Sequence, residues 1–157
     1  MRRTLMVVLG TIFALTLSMQ AALAASPHFV RGPDYTATTT ALTASGKAAG
    51  LGMEPVTAFL TAEDVQVFFH CVNRGNNFAP GHPADFNDVT GPTQTITPRN
   101  GQITFDVSLP APAVSATEEC PNRNWQVIVD EVDYLGVTLH IQDAFGNDLL
   151  SDGPHDF

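Results

Sequence analysis

Residues 70–83, with the sequence HCVNRGNNFAPGHP, combine side chains that do chemistry in other proteins. His70 and His82 are of the type that binds metals, and Cys71 is of the type that serves as a nucleophile or a metal ligand. Zinc and copper need several such ligands to converge, yet no pair of histidines has helical spacing and no Cys-x-x-Cys occurs. His70 and His140 would meet only if their strands pair. We therefore predict that the protein holds no metal ion and needs no cofactor.

The N-terminal stretch has the three parts of a secretory signal peptide. Arg2 and Arg3 supply a positive start, residues 5–17 are almost entirely apolar, and Ala22-Leu23-Ala24 provides small residues for cleavage. The apolar run is short for a membrane span, which needs about 20 residues. We predict a signal peptide at 1–24, a single exported domain at 25–157, a secreted (extracellular) location and no membrane insertion after processing.

The charge of the chain bears on its partners. The full sequence has seven basic and 16 acidic residues, and loss of Arg2 and Arg3 leaves five basic residues and a formal net charge of −11. A field of that sign repels phosphate backbones and anionic lipid. We therefore predict no nucleic-acid partner.

Both cysteines lie in the predicted mature domain. An even pair in an oxidising compartment is expected to form a disulfide, here Cys71–Cys120. Such a bond closes a loop of about 50 residues and contributes about 4 kcal/mol in the chain-entropy model. A cysteine that is held in a disulfide is not available as a nucleophile.

Alternation of apolar and polar residues between turn signals predicts β-strands in the mature chain. DVQVFFHC at 64–71 places alternate apolar residues on one face, and TATTTALT at 36–43 predicts a half-buried strand. In TQTITPRNGQITFDVSL at 93–109, Asn100-Gly101 predicts the type I′ turn of a β-hairpin. The alternation over 125–143 changes phase near residues 134–136, which predicts a bulge or a turn between two strands.

These segments amount to roughly seven strands separated by turns. The predicted fold is all-β, an antiparallel immunoglobulin-like β-sandwich with one disulfide. The cysteine spacing differs from that of an antibody domain, because Cys120 precedes its strand instead of lying inside it.

Four short motifs resemble a family of small exported proteins that is common in actinomycetes and has no established function. They are AGLG at 49–52, CVNRG at 71–75 with Pro80 beyond it, CP at 120–121 and VDYLGVTL at 132–139. The resemblance implies a secreted β-sandwich with one disulfide between the two matching cysteines. It implies no catalytic or binding residues.

Enzymatic chemistry has little support in the sequence. No Gly-x-Ser-x-Gly elbow occurs, and carboxylates such as Glu54 and Glu63 have no spacing that is typical of a glycoside hydrolase. We predict that the protein is not an enzyme. Two alternatives stay open: a small hydrolase with an acidic site, and a structural protein stabilised by calcium at ADFND (84–88), DEVD (130–133) or DAFGND (143–148).

Two long loops, predicted at 73–92 and 110–124, are the natural places for a ligand on such a scaffold. Phe78 and Phe86 would either contact a ligand or form the first loop's own small core. We predict a non-catalytic binding or cell-envelope interaction module whose partner is a protein or a cell-wall ligand. The candidate binding residues are Arg74, Asn76, Asn77, Phe78, His82 and Phe86.

Overall fold

A computed structural model describes residues 26–157, so the predicted signal peptide at 1–24 lies outside the described residues. The described chain is nearly all strand, with antiparallel pairing throughout, which confirms the predicted fold class. Within this part of the chain, no helix is long and apolar enough to span a membrane. The elements are β1 (His28–Ala37), β2 (Ala41–Ala49), β3 (Val56–Asn73), β4 (Phe78–Pro80), β5 (Ala84–Thr90), β6 (Gln94–Ile96), β7 (Gln102–Pro110), α1 (Ala116–Glu119), β8 (Trp125–Leu135), β9 (Val137–Gln142) and β10 (Asp148–His155).

Two antiparallel sheets form the sandwich. Sheet A has the strand order β1-β2-β7. Sheet B is built on β3, which is 18 residues long. Along one side of β3 run β4, β5 and β6 in succession, along the other run β8 and β9, and β10 pairs with β9. The ten strands therefore occupy three positions in sheet A and four in sheet B, in keeping with a sandwich of roughly seven strands.

The main core lies between the two sheets and follows the alternation seen in the sequence. Every second residue of β7 is buried, and the same holds for β9 and for each half of β3. Burial of these side chains is the main favourable contribution to folding, at about 25 cal/mol per Å² of apolar surface. The largest fully buried side chains in this core are Leu42, Leu60, Phe105, Leu109, Tyr134, Leu139 and Ile141.

A shift of phase crosses the middle of sheet B beside Glu63. Buried positions in β3 jump from Ala62 to Val65 at this level. The two residues that flank Glu63 on the neighbouring strands, Asp88 and Gly136, both have left-handed backbone angles, with φ of 53° and 63°. The phase change predicted near residues 134–136 is therefore a break shared by three strands, with no change of register, which keeps apolar residues facing inward on both halves of β3.

The hairpin predicted at 93–109 is only partly correct. Asn100 and Gly101 both have positive φ, 52° and 71°, as a type I′ turn requires, and Arg99 and Gln102 form a β-bridge. Beyond that bridge the arms separate, because β6 pairs with β3 in sheet B and β7 pairs with β2 in sheet A. With β6 and β7 in different sheets, Ile96 and Ile103 pack against the main core from its two sides. The turn thus links the two sheets.

The strand predicted at 36–43 is wrong at its centre. Residues 38–40 form the turn between β1 and β2. The Thr38 hydroxyl accepts the backbone N–H groups of Thr40 and Ala41 at 3.3 and 3.1 Å and donates to the Ala41 carbonyl at 2.8 Å. Local hydrogen bonding by a threonine side chain outweighs the strand propensity of the threonine run here.

Two hairpin turns of the same design close sheet B at its opposite ends. Residues 73–77 join β3 to β4, and residues 143–147 join β9 to β10. In each turn a side-chain oxygen of the first residue, Asn73 or Asp143, accepts the backbone N–H groups of the third and fifth residues at 2.8–3.0 Å. The fourth residue of each turn is left-handed. Each turn is therefore fixed by its own hydrogen bonds.

Asp143 can ionise whereas Asn73 cannot, so the Asp143 turn is expected to make the stability of the protein depend on pH. Hydrogen bonds from the Asn147 side chain and then from backbone N–H groups hold the pKa of the Asp143 carboxyl below its ordinary value. The resulting stabilisation is complete above the pKa of the unfolded chain and is lost as pH falls through the lower folded value. We expect the difference in unfolding free energy between wild type and Asp143→Asn to decrease from about pH 6 to about pH 3 in urea titrations.

The Asn73 turn provides the matched control. Asn73→Asp introduces a carboxyl into the same hydrogen-bond pattern, so this variant should acquire a similar loss of stability in acid relative to wild type. If stability curves of wild type and Asp143→Asn stay parallel across this range, the turn does not bind the carboxylate form preferentially.

Candidate functional site

A second, smaller core lies at one end of sheet B. Phe69, Cys71 and Cys120 are buried there, and they pack against partly buried residues that include Val114 and Trp125. The connection 111–124 supplies Val114 and Cys120, so it covers the end of β3 that carries Cys71. The predicted disulfide is present, with 5.8 Å between the two Cα atoms, and it fixes this cover to β3.

An open cleft of about 340 Å³ lies next to the disulfide. One wall is the Asn73 turn, and the other is the segment that leads into β8. The pairing of Val72 with Gln126 and of Asn73 with Trp125 brings these walls together, because β3 and β8 are neighbours in sheet B. The cleft is lined by Val72, Asn73, Arg74, Asn76, Arg123, Asn124, Trp125 and Gln126.

The two arginines of this cleft occupy equivalent places in a repeated local motif. Each cysteine of the disulfide begins a Cys-x-Asn-Arg sequence, at 71–74 and at 120–123. In both copies the asparagine side-chain oxygen accepts the backbone N–H two residues ahead: Gly75 donates to Asn73 at 2.9 Å, and Asn124 donates to Asn122 at 3.0 Å. The disulfide joins the two copies, and we call their shared pocket the Cys-x-Asn-Arg cleft.

The electrostatics of the Cys-x-Asn-Arg cleft are unusual for so acidic a chain. Arg74 and Arg123 are both exposed, and neither forms an ion pair with any residue in the 26–157 part. A guanidinium presents planar donors that match a carboxylate, sulfate or phosphate group. The neighbouring amides of Asn76, Asn124 and Gln126 can donate to or accept from hydroxyl groups. The lining thus suits an anionic ligand that also carries hydroxyls.

Three of the residues predicted to bind lie at this cleft. Arg74 and Asn76 line it, and Asn77 holds the turn through hydrogen bonds from its backbone N–H and its side-chain amide to Asn73. Phe78 does not line the cleft, although β4 places it directly after the turn. It is 64% exposed on the outer face of sheet B, and its ring lies 5.0 Å from that of His70.

The other two predicted binding residues lie outside the cleft, and the His82 side chain is 72% exposed. His82 lies 3.1 Å from the Glu119 carboxylate and edge-on to Phe69, so it packs against the cover of the small core. Phe86 lies in β5 opposite Val65 and packs against the main core. The prediction of one long loop at 73–92 is wrong, because β4 and β5 lie within it, and the pairing of β5 with β3 turns Phe86 inward.

Of the cleft residues from Arg123 to Gln126, the first two lie within the predicted ligand loop 110–124 but were not named as binding residues, and the last two lie outside it. The predicted second loop ends at residue 124, and Trp125 and Gln126 fall in the strand that follows. The available signal was the repeated Cys-x-Asn-Arg motif, since both copies begin at predicted disulfide cysteines. Cysteines in a disulfide bring the residues beside them together in space.

Histidines and carboxylates do not gather into a metal site in the described part of the chain. His70 contacts Asp130 at 2.9 Å, and His140 contacts Asp148 at 3.2 Å, near opposite ends of β3. Residues 26–157 contain no group of three or more His, Cys, Asp or Glu residues placed to hold a metal ion. In DAFGND, both Asp143 oxygens accept N–H donors of the turn itself, which leaves little room for a calcium ligand set.

A Tyr-Asp-His cluster is the arrangement most similar to a catalytic group. Tyr35 donates to an Asp152 oxygen at 2.8 Å, and the Nε2 atom of His155 lies 2.9 Å from the same oxygen. Burial, and then Asp152, raise the pKa of Tyr35, which makes the phenol a poorer acid. The cluster joins β1 of sheet A to β10 of sheet B, and among residues 26–157 no serine or cysteine side chain is hydrogen-bonded to it.

No protein-family model, curated protein or solved structure matches this chain. Function must therefore be argued from the geometry of its sites.

Proposed function

We propose that the protein is an exported, non-catalytic binding module that holds an anionic, hydroxyl-rich ligand in the Cys-x-Asn-Arg cleft. An acidic saccharide of the cell envelope has this chemistry. The observation that carries the proposal is the meeting of two unpaired arginines, Arg74 and Arg123, on the two walls of one cleft. The signal-peptide pattern at 1–24 and the disulfide support export, since disulfides persist in oxidising compartments.

The composition of the cleft favours binding over hydrolysis. A glycoside hydrolase needs two carboxyl groups flanking the scissile bond, and the residues that line this cleft include no Asp, Glu or His. Trp125 adds an aromatic surface to the cleft while its other contacts are with the small core. Apolar ring surface beside fixed polar donors is the usual composition of a small-ligand site.

The overall charge favours a short anionic ligand over a polyanion. A formal net charge of −11 on the mature chain opposes the approach of a nucleic acid or an anionic membrane over a wide area. Two local guanidinium groups can still hold one or two acidic groups at close range, where direct hydrogen bonds outweigh the more distant repulsion.

The test begins with a pull-down of the mature protein against cell-wall fractions, followed by calorimetric titration with fragments of any polymer that binds saturably. Arg74→Ala and Arg123→Ala are each expected to weaken binding by about 10-fold to 100-fold, as loss of a charge-assisted hydrogen bond does. Rising salt should weaken ligand binding by the wild type more than binding by a variant that carries both Arg74→Ala and Arg123→Ala.

The matched control is Arg31→Ala, which removes an exposed arginine from β1 of sheet A, outside the cleft. It should bind as wild type does. Failure of every wall fraction to bind saturably would contradict the proposal, and so would an Arg31→Ala loss as large as that of the cleft variants.

A further inference from the structure

The end of the sandwich opposite the Cys-x-Asn-Arg cleft carries an exposed aromatic knob. Phe145 is 91% exposed at the tip of the 143–147 turn. The hydrogen bonds from the N–H groups of Phe145 and Asn147 to Asp143 fix the backbone that carries it. A large apolar side chain on a fixed turn loses little conformational entropy on insertion into a partner, so it is well suited to anchor an interface.

An apolar hollow lies at the same end of the molecule, on the side of sheet A. It encloses about 440 Å³, and its rim includes Val30 and Met53, which are 54% and 67% exposed. Most of its remaining lining is small or is backbone, which leaves the hollow open to an incoming ring. The lining residues are His28, Val30, Ala49, Gly50, Gly52, Met53, Asn100, Gly101 and Gln102.

Strand topology places the knob and the hollow at one end but on different sheets. β9 ends at Gln142, which pairs with Thr57 near the start of β3, so the Phe145 turn extends beyond that edge of sheet B. At the same end of sheet A, β1 starts, β2 ends and β7 starts, with His28, Ala49 and Gln102 in register. A closed, isologous contact between two copies needs a projection and a recess on the same end of each copy, and the knob and the hollow meet that condition.

Charge complementarity supports a second copy as the occupant. Lys47 and Arg99 line a neighbouring groove that shares Gln102 with the hollow, and neither forms an ion pair within residues 26–157. Asp143 and Asp148 flank Phe145 in the sequence and add negative charge at the turn, although Asp143 accepts hydrogen bonds within the turn and Asp148 contacts His140. Docking of the knob would bring these acidic residues toward the unpaired basic residues of the other copy.

We propose that the protein forms an end-to-end dimer in which Phe145 of each copy inserts into the hollow at Val30 and Met53 of the other. This dimer does not depend on the proposed ligand of the Cys-x-Asn-Arg cleft. It would place the two clefts at the far ends of the assembly, on the order of 100 Å apart at about 3.3 Å per strand residue, and so make a bivalent binder.

The test is the mass of the mature protein by sedimentation equilibrium from about 1 µM to about 1 mM, a range that covers weak and moderate dimers. Wild type should change from monomer to dimer within this range. Phe145→Ala removes the knob, and Met53→Glu places a charge at the hollow, so each should raise the dissociation constant at least about 10-fold. Both positions are exposed, so both variants should keep the wild-type thermal midpoint at concentrations where the wild type is monomeric.

Phe78→Ala is the matched control, because it removes an exposed phenylalanine from the opposite end of sheet B. It should dimerise as wild type does. A wild type that stays monomeric throughout would overturn the proposal, as would a Phe145→Ala variant with unchanged dimerisation. Sedimentation of the monomer with phosphatidylcholine vesicles, abolished by Phe145→Ala, would assign the knob to a lipid surface and would also overturn it.

Discussion

Replacement of both Cys71 and Cys120 by alanine is expected to lower the free energy of unfolding by about 4 kcal/mol, the loop-entropy value for a loop of about 50 residues. The sequence separation of the two cysteines is 49, so the bond removes much freedom from the unfolded chain. A small domain has a total stability of about 5–15 kcal/mol, so the loss is a large part of it. Urea denaturation with constant slope measures the change.

Loss of the disulfide should also weaken the candidate site, because the bond holds the two Cys-x-Asn-Arg segments together. Relative to wild type, we expect the variant to show a larger increase in amide hydrogen exchange in the cover segment 111–124 than in β7. We also expect it to bind ligand more weakly at temperatures where it is still folded. The double variant is the informative one, since a single substitution leaves a free thiol. Reductant should bring wild type to the stability of the double variant and leave that variant unchanged.

A loss below about 1 kcal/mol would contradict this account. It would mean that the small core of Phe69 and Trp125 holds the cover segment in place without the covalent bond. Unchanged ligand binding in a folded, disulfide-free variant would show that the cleft keeps its geometry without the disulfide.

Phe105→Ala is expected to lower the free energy of unfolding by about 3–5 kcal/mol, the usual cost of this truncation in a close-packed core. Phe105 is only 1% exposed, and Phe29 packs against it edge-on with 6.2 Å between ring centroids. On the neighbouring strand, a side chain at Gly46 would begin only 2.7 Å from the Phe105 ring, so the ring occupies the space above that glycine. Because Gly46 has no side chain to fill the cavity, the site cannot collapse well.

Phe105→Ala should lower stability without changing ligand binding, because Phe105 lies away from the Cys-x-Asn-Arg cleft. Phe105 belongs to the main core between the sheets, and the residues of the disulfide cluster form a separate core. We therefore expect Phe105→Ala to bind ligand as wild type does under conditions where it is folded. Phe105→Leu, which retains most of the volume, should lose less stability than Phe105→Ala in the same urea titration. Equal losses for the two would contradict the cavity argument.

Much of the local structure could be predicted from the sequence because its causes are local. The alternation in residues 64–71 and 102–109 requires one buried face, and both segments are strands with that face inward. Asn100-Gly101 favours positive φ at two successive positions, and a turn with those angles is present. The pairing of two cysteines followed from their number and from the predicted compartment.

Strand pairing was harder to predict because it depends on residues that are distant along the chain. The arms of the Asn100-Gly101 turn go to different sheets, because their partners are β3 and β2, and both of these strands are distant along the chain. Phe78 and Phe86 look alike in the sequence, yet one is exposed and the other packs on the core. The registers of β4 and β5 against β3 decide between them, since a shift by one residue reverses the side-chain face.

By itself, the sequence determined that residues 26–157 form an all-β domain with a Cys71–Cys120 disulfide, because side-chain alternation and cysteine pairing are written in residue types. Only the tertiary structure shows that part of HCVNRGNNFAPGHP forms one wall of an arginine-lined cleft. The other wall comes from residues about 50 positions later, joined by the disulfide and by the pairing of β8 with β3. Such long-range contacts depend on the packing of the whole core, and no local pattern specifies them.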